Sequence, residues 1–209
     1  MSVLHKIGPI VFPPSSFLNI NMMPFVMHDP DSLPGEYQSY WPLIEACQIE
    51  AAEHGRVGYL SIQESDVPAG LSQRRPDIHT EGHGRGRAGW GGGSLTTGEH
   101  RQGLYQANSI HGSCRAWDIP IDDPGPMGSC DEERVVNHTP RYLEANTLYW
   151  MADNCPHESL PLTRRQRRQW FRVVTSAVDL WYAQHSTRNR LGVMPNCRIV
   201  RGNKFTGLC

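Results

Sequence analysis

The chain has 209 residues, with 20 Lys and Arg set against 21 Asp and Glu, and a formal net charge of −1. So even a balance gives no overall field to gather nucleic acid or an anionic membrane, and neither is expected as a partner. The length suits a single catalytic domain over 1–209, and no run approaches the ~20 apolar residues that a membrane-crossing helix needs.

Residues 1–35 are rich in Pro, Met and Phe and are expected to form an extended arm that packs on the core or covers a site. Pro9, Pro13 and Pro14 break up what would have to be a signal peptide's apolar block. Cys47, Cys114, Cys130, Cys155, Cys197 and Cys209 are scattered with no C-x-x-C pair, so a structural zinc site is not indicated and reduced thiols in a cytoplasmic protein are expected. From Tyr40 to Gly55 the pattern turns helical. Ser39 is the predicted N-cap, Pro42 fits the first turn, apolar residues recur at Leu43, Cys47 and Ala51, and Gly55 supplies the stop. Val57 to Gln63 then alternates as a strand, with Tyr59, Ser61 and Gln63 on one side and Leu60 and Ile62 on the other.

The segment Asp77-Ile78-His79-Thr80-Glu81 follows. If extended, it points His79 and Glu81 to one face, since strand side chains alternate. A glycine-rich stretch over 82–100 comes next and is expected to be a loop at the mouth of a site, with His83 a spectator or substrate contact. Gly103–His111 and Ser113–Pro120 read as two strands joined near Gly112, carrying Tyr105, Asn108 and Arg115; 122–126 reads as a loop. Leu143 to Leu162 reads as a strand, a polar turn and a strand restarting at His157.

Beyond it, Trp170, Val173, Val174, Ala177 and Trp181 also recur with helical period, so a helix from Thr163 to Gln184 competes with a strand. The β-branched and aromatic content of Trp170 to Thr175 favours a strand from about Arg168 to Ser176 and another extended piece near Leu180. Arg168 and Arg172 then share a face, and the cluster Arg164, Arg165, Arg167 reads as solvated.

His-x-Glu is a common tripeptide, but with His157 it supplies the two imidazoles and one carboxylate of a facial triad that suits Fe(II) and leaves coordination positions open. The order His79-x-Glu81, a distant His157, and then Arg168 and Arg172 eleven and fifteen residues beyond it resembles the Fe(II)/2-oxoglutarate-dependent oxygenases over residues 59–182. Most members carry Asp where this chain has Glu81. The resemblance implies a mainly β fold with flanking helices, a double-stranded β-helix of the jelly-roll or cupin-like kind. It implies His79, Glu81 and His157 as catalytic metal ligands, Fe(II) as cofactor, and 2-oxoglutarate and O2 as co-substrates. Arg168 would grip the far carboxylate of 2-oxoglutarate, with Tyr105 and Asn108 as further cofactor contacts. Arg172 and Arg115 would meet a small-molecule substrate, which would be oxidised with release of succinate and CO2. Two other readings use the same residues: a zinc-dependent hydrolase or lyase on the same three ligands, and a non-catalytic jelly-roll binding module in which the two histidines never approach.

Overall fold

The structure is a computed structural model that describes residues 2–81, 103–203 and 207–208. The glycine-rich stretch and His83 therefore lie outside the described residues. Strands are Leu4–Pro9 (β1), Asn19–Val26 (β2), Val57–Val67 (β3), Gly103–Asn108 (β4), Cys114–Ala116 (β5), Arg141–Tyr142 (β6), Thr147–Ala152 (β7), His157–Ser159 (β8), Gln166–Val174 (β9), Leu180–Tyr182 (β10), Arg198–Val200 (β11), Gly202–Asn203 (β12) and Gly207–Leu208 (β13). Among the described residues one short α-helix, Trp41–Ala46 (α1), and several 3-10 turns accompany them. No helix among the described residues is long and apolar enough to cross a membrane.

The principal sheet has six strands in the order β1-β7-β4-β9-β3-β2, every neighbouring pair antiparallel. The segment that could have been a helix is thus the long strand β9, paired on both sides. Period alone could not decide this. The β-branched run does better as a strand because it lies between β3 and β4, where both faces are covered. A three-stranded antiparallel sheet, β6-β5-β8, stands apart. His79 adds itself to the free side of β8 through a single antiparallel bridge, and Ser129 bridges His79 from beyond.

Alternation sorts the strands' side chains into two layers. Tyr59, Leu104, Tyr149, Met151 and Val174 share a core with Cys114 and Ala116 of the smaller sheet. Leu60, Ile62, Tyr105, Ala107, Phe171 and Val173 belong to a second core with Leu43 and Ile44 of α1 and Phe25 of β2. Each fully buried side chain of this kind contributes roughly 1.5–3 kcal/mol.

The predicted helix is much shorter than its apolar period suggests. Pro42 does occupy its first turn, but Ser39 falls inside the preceding 3-10 turn and caps nothing, and Gln48 turns left-handed at φ 50° just past the end. Two buried residues, Leu43 and Ile44, already anchor it to the sheet. Within residues 1–35, β1 pairs with β7 and β2 with β3, which makes them the edge strands of the principal sheet, and a 3-10 turn follows at Pro30–Ser32. Five cysteines are described, and all five are free thiols.

Glu64, on the outer face of β3, ties these parts together. Its carboxylate accepts from the backbone N–H groups of Ser16 (2.7 Å) and Leu18 (2.9 Å), Ser15 Oγ (3.2 Å), Tyr40 Oη (2.6 Å) and Gln169 Nε2 (3.0 Å). Burial pushes this carboxyl up, but the bonds from Tyr40, Leu18, Gln169 and Ser16 outweigh burial and hold it below its ordinary value. A carboxyl whose folded value lies below its unfolded one adds stability that is present above the unfolded value and lost as pH falls through the folded one. Glu64→Gln should therefore flatten the loss of stability below about pH 4 in urea titrations. Glu64→Ala should cost about 2–3 kcal/mol at neutral pH, read by the same titrations.

Candidate metal centre

The two histidine-bearing segments meet as paired backbone. His79 N–H donates to His157 O (3.0 Å) and His157 N–H to His79 O (2.9 Å), so their side chains leave the same face side by side. The His79 segment is held at both flanks too: Cys130 N–H donates to Ile78 O, Thr80 N–H to Gly128 O, and Glu81 N–H to Asp153 O. Period-two alternation then brings Glu81 round to the face of His79, as its spacing predicts.

Both imidazoles are oriented in the same way. His79 Nδ1 lies 2.6 Å from Asp77 O, and His157 Nδ1 lies 3.0 Å from Cys155 O. A carbonyl can only accept, so in each ring Nδ1 carries the proton and Nε2 keeps its lone pair. This is the outer-shell arrangement that fixes a metal-ligating histidine. Burial and the adjacent His157 hold His79 well below the usual histidine range, in the neutral form that a ligand needs.

His79, Glu81 and His157 are all buried, and one ligand atom from each lies within 4.8 Å of the others. His157 Nε2 is 3.7 Å from Glu81 Oε1. Neighbouring ligands of one ion with bonds near 2.1 Å sit ~3 Å apart, so small rotations suffice to close the set. The donor chemistry of two neutral imidazoles and one carboxylate fits a divalent metal.

The remaining wall is cationic. Arg172 Nη1 donates to Glu81 Oε1 (2.5 Å), and both side chains are buried. Arg168 is fully enclosed and donates to Ser159 Oγ (2.9 Å) and Cys114 Sγ (3.0 Å). Its Nε has no partner among the described residues. Register explains why both arginines face inward: Ser61 and Gln106 flank Arg172 across β9, and Ser65 sits beside Arg168. The free space beside His79, Glu81 and His157 is about 40 Å³, bordered also by Arg74, Ser159 and Trp170, which is room for a few waters.

The other expected contacts fall elsewhere. Tyr105 lies on the opposite face of β4, in the core beneath α1. Asn108 faces inward, but its Oδ1 accepts from Ser113 Oγ (2.6 Å) and Ile110 N–H, which shapes the turn after β4. Arg115 is on the outer face of the small sheet, paired to Glu158 (2.5 Å) and lying over Trp117. In their place the pocket is lined by Gln106, Arg74, Arg75, Ser159 and Trp170. Gln106 could have been found by parity, being one residue from Tyr105. Arg74 and Arg75 stand shortly before the histidine motif and carried no signal of their own. Comparison with protein-family models, with curated proteins and with solved structures finds no match to this chain.

Removing one partner of the Arg172–Glu81 pair should be expensive. In metal-free protein, Glu81→Ala is expected to cost about 3–5 kcal/mol, because a buried guanidinium loses its counter-charge, whereas Glu81→Ala with Arg172→Met should recover most of that loss. Denaturant midpoints of the single and double variants measure both.

Proposed function

We propose that this protein is a non-haem Fe(II)- and 2-oxoglutarate-dependent oxygenase that hydroxylates a small organic substrate. The observation that carries this reading is the convergence of His79, Glu81 and His157 beside Arg168, a fully buried cation whose hydrogen-bond partners, Ser159 and Cys114, include no carboxylate. A buried charge so placed is costly until an anion joins it. A zinc hydrolase gives that guanidinium no task, and the alternative of a binding module with separated histidines does not suit rings whose centroids are 4.5 Å apart.

Strand order supports a jelly-roll reading. From β3 onward the chain alternates between layers: β3 in the large sheet, His79 beside the small one, β4 large, β5 and β6 small, β7 large, β8 small, β9 large. Two interleaved antiparallel sheets of this kind are what a double-stranded β-helix requires. It would place the metal ligands on the second and seventh of eight positions and Arg168 on the eighth.

In this reading His79, Glu81 and His157 hold the metal, which when bound supplies the activation of dioxygen and of the keto acid. Arg168 offers its guanidinium to the far carboxylate of 2-oxoglutarate, an arrangement in which Ser159 fixes the plane of the fork. Arg172 neutralises Glu81 and keeps the carboxylate turned toward the histidines. Trp170 lines the pocket and its ring lies 5.2 Å from the Arg172 guanidinium.

The test is anaerobic addition of Fe(II) and 2-oxoglutarate with a visible-absorption readout of the chelate. The unsubstituted protein should develop the charge-transfer band and His79→Ala should not. Arg168→Lys should keep metal binding, seen as a thermal shift with Fe(II) alone, while weakening 2-oxoglutarate about a hundredfold. No band in well-folded protein that binds zinc would turn the reading to the hydrolase.

A further inference from the structure

The cavity carries a second cationic group that the oxygenase reading does not use. Arg74 comes from the segment between β3 and His79, and its Nη1 donates to Gln63 Oε1 (3.1 Å). Its guanidinium lies 4.1 Å above the Trp170 ring. The segment itself is fixed by Gln73, whose Nε2 donates to Gln63 O (3.3 Å), Ser65 Oγ (2.9 Å) and Arg168 O (3.0 Å). Arg74 is therefore placed by its neighbours rather than left to swing in solvent.

Across the same indole stands Gln106, which is buried at 3% exposure and lines the pocket. Trp170 Nε1 donates to Gln106 Oε1 (3.4 Å). An indole N–H is only a donor, which sets the amide's orientation and leaves Nε2 as its free hand. That Nε2 is buried and has no partner among the described residues. A positive group and an unused donor thus flank one aromatic platform.

Charge points the same way. Arg74, Arg168 and Arg172 act on one another at close range, with Glu81 as the opposing carboxylate among them. Glu158, the other acid lining the pocket, is committed to Arg115. Burial, then Arg172 and Arg168, push Arg74 down to about 9 against the opposing pull of Glu81, so it is still protonated at neutral pH but less comfortably so than in water. Arg75 also lines the pocket, so a dianion at Arg168 would still leave one positive charge unmatched among Arg74, Arg75, Arg168, Arg172 and Glu81.

We propose that Arg74 and Gln106, on the Trp170 platform, form an oxyanion subsite that selects substrates bearing a carboxylate or sulfonate. The inference rests on the oxygenase reading for the word substrate, but the subsite stands on its own geometry. The guanidinium stacked on Trp170 presents its edge to two oxygens of the anion, and the Gln106 amide donates to one of them. The substrate's carbon skeleton is then directed toward the His79, Glu81 and His157 face.

The experiment uses the intact 209-residue chain and methanesulfonate as probe, titrated calorimetrically at low ionic strength, with chloride as the non-directional control. Wild type should bind methanesulfonate over chloride, Arg74→Gln should weaken it at least tenfold, and Arg74→Lys should fall between, since it keeps charge but loses the flat fork. The anaerobic Fe(II)/2-oxoglutarate band should be unchanged in Arg74→Gln. Wild-type affinity for methanesulfonate in Arg74→Gln, or no preference over chloride in wild type, overturns the subsite. Loss of the 2-oxoglutarate band in Arg74→Gln overturns it as well, by making Arg74 part of the co-substrate's site. Absence of the band in wild type, with Arg74-dependent methanesulfonate binding intact, removes the oxygenase reading and leaves the subsite standing.

Discussion

Two backbone hydrogen bonds between His79 and His157 position the candidate metal centre of this molecule. They make neighbours of two segments that are 78 residues apart in sequence, and they do so at one specific register. A slip of one residue on either segment would turn a histidine to the other face of the sheet and separate the pair. The bonds from Thr80 and Glu81 to Gly128 and Asp153 hold the segment against such a slip. Because the peptide groups carry the register, the imidazoles do not need to hold themselves. Each spends its Nδ1 on a carbonyl two residues back and keeps Nε2 for a ligand.

Around that bridge the protein has assembled an unusual balance of charge. Strand β9 sends Arg168 and Arg172 inward where a core strand would ordinarily send hydrocarbon, and the loop before His79 adds Arg74. Glu81 is the acid placed among them, and Arg172 takes one of its oxygens. Desolvated cations without matching anions lower stability, and a sequence under no other demand would replace them with apolar residues of similar volume. Arg168, whose hydrogen bonds go to Ser159 and Cys114, is a member of the group held without a carboxylate. The outer face of the same sheet shows the contrast: there Glu64 is buried without a cation, yet five donors satisfy it and it serves to fasten the N-terminal arm.

Much of the fold was legible where local pattern and tertiary demand agree. Alternation over Val57 to Gln63 and the β-branched run after Trp170 became strands because pleating and burial reward the same residues, and the polar stretch before His157 stayed a turn between two strands. The helix after Ser39 was legible in kind but not in length, since its apolar period runs on past Gln48, where the backbone turns left-handed. Tyr105 and Asn108 show a different limit. Three residues apart on one strand, they must face opposite ways, so no strand could have brought both to one pocket. Only pairing partners reveal which face is inside, and Gln106 took the place expected of Tyr105.

The sequence by itself determined which residues could ligate a metal and that His79 and Glu81 would share a face, because strand alternation is a property of the backbone. It also determined that Arg168 and Arg172 would point the same way, by the same rule. Tertiary structure decided that His157 pairs directly with His79, that Arg172 spends a donor on Glu81, that Arg115 turns outward to Glu158, and that Arg74 reaches Trp170. Those outcomes depend on which strands become neighbours and at what register, and pairing between distant segments is set by the burial of whole sheets rather than by any stretch of chain read alone.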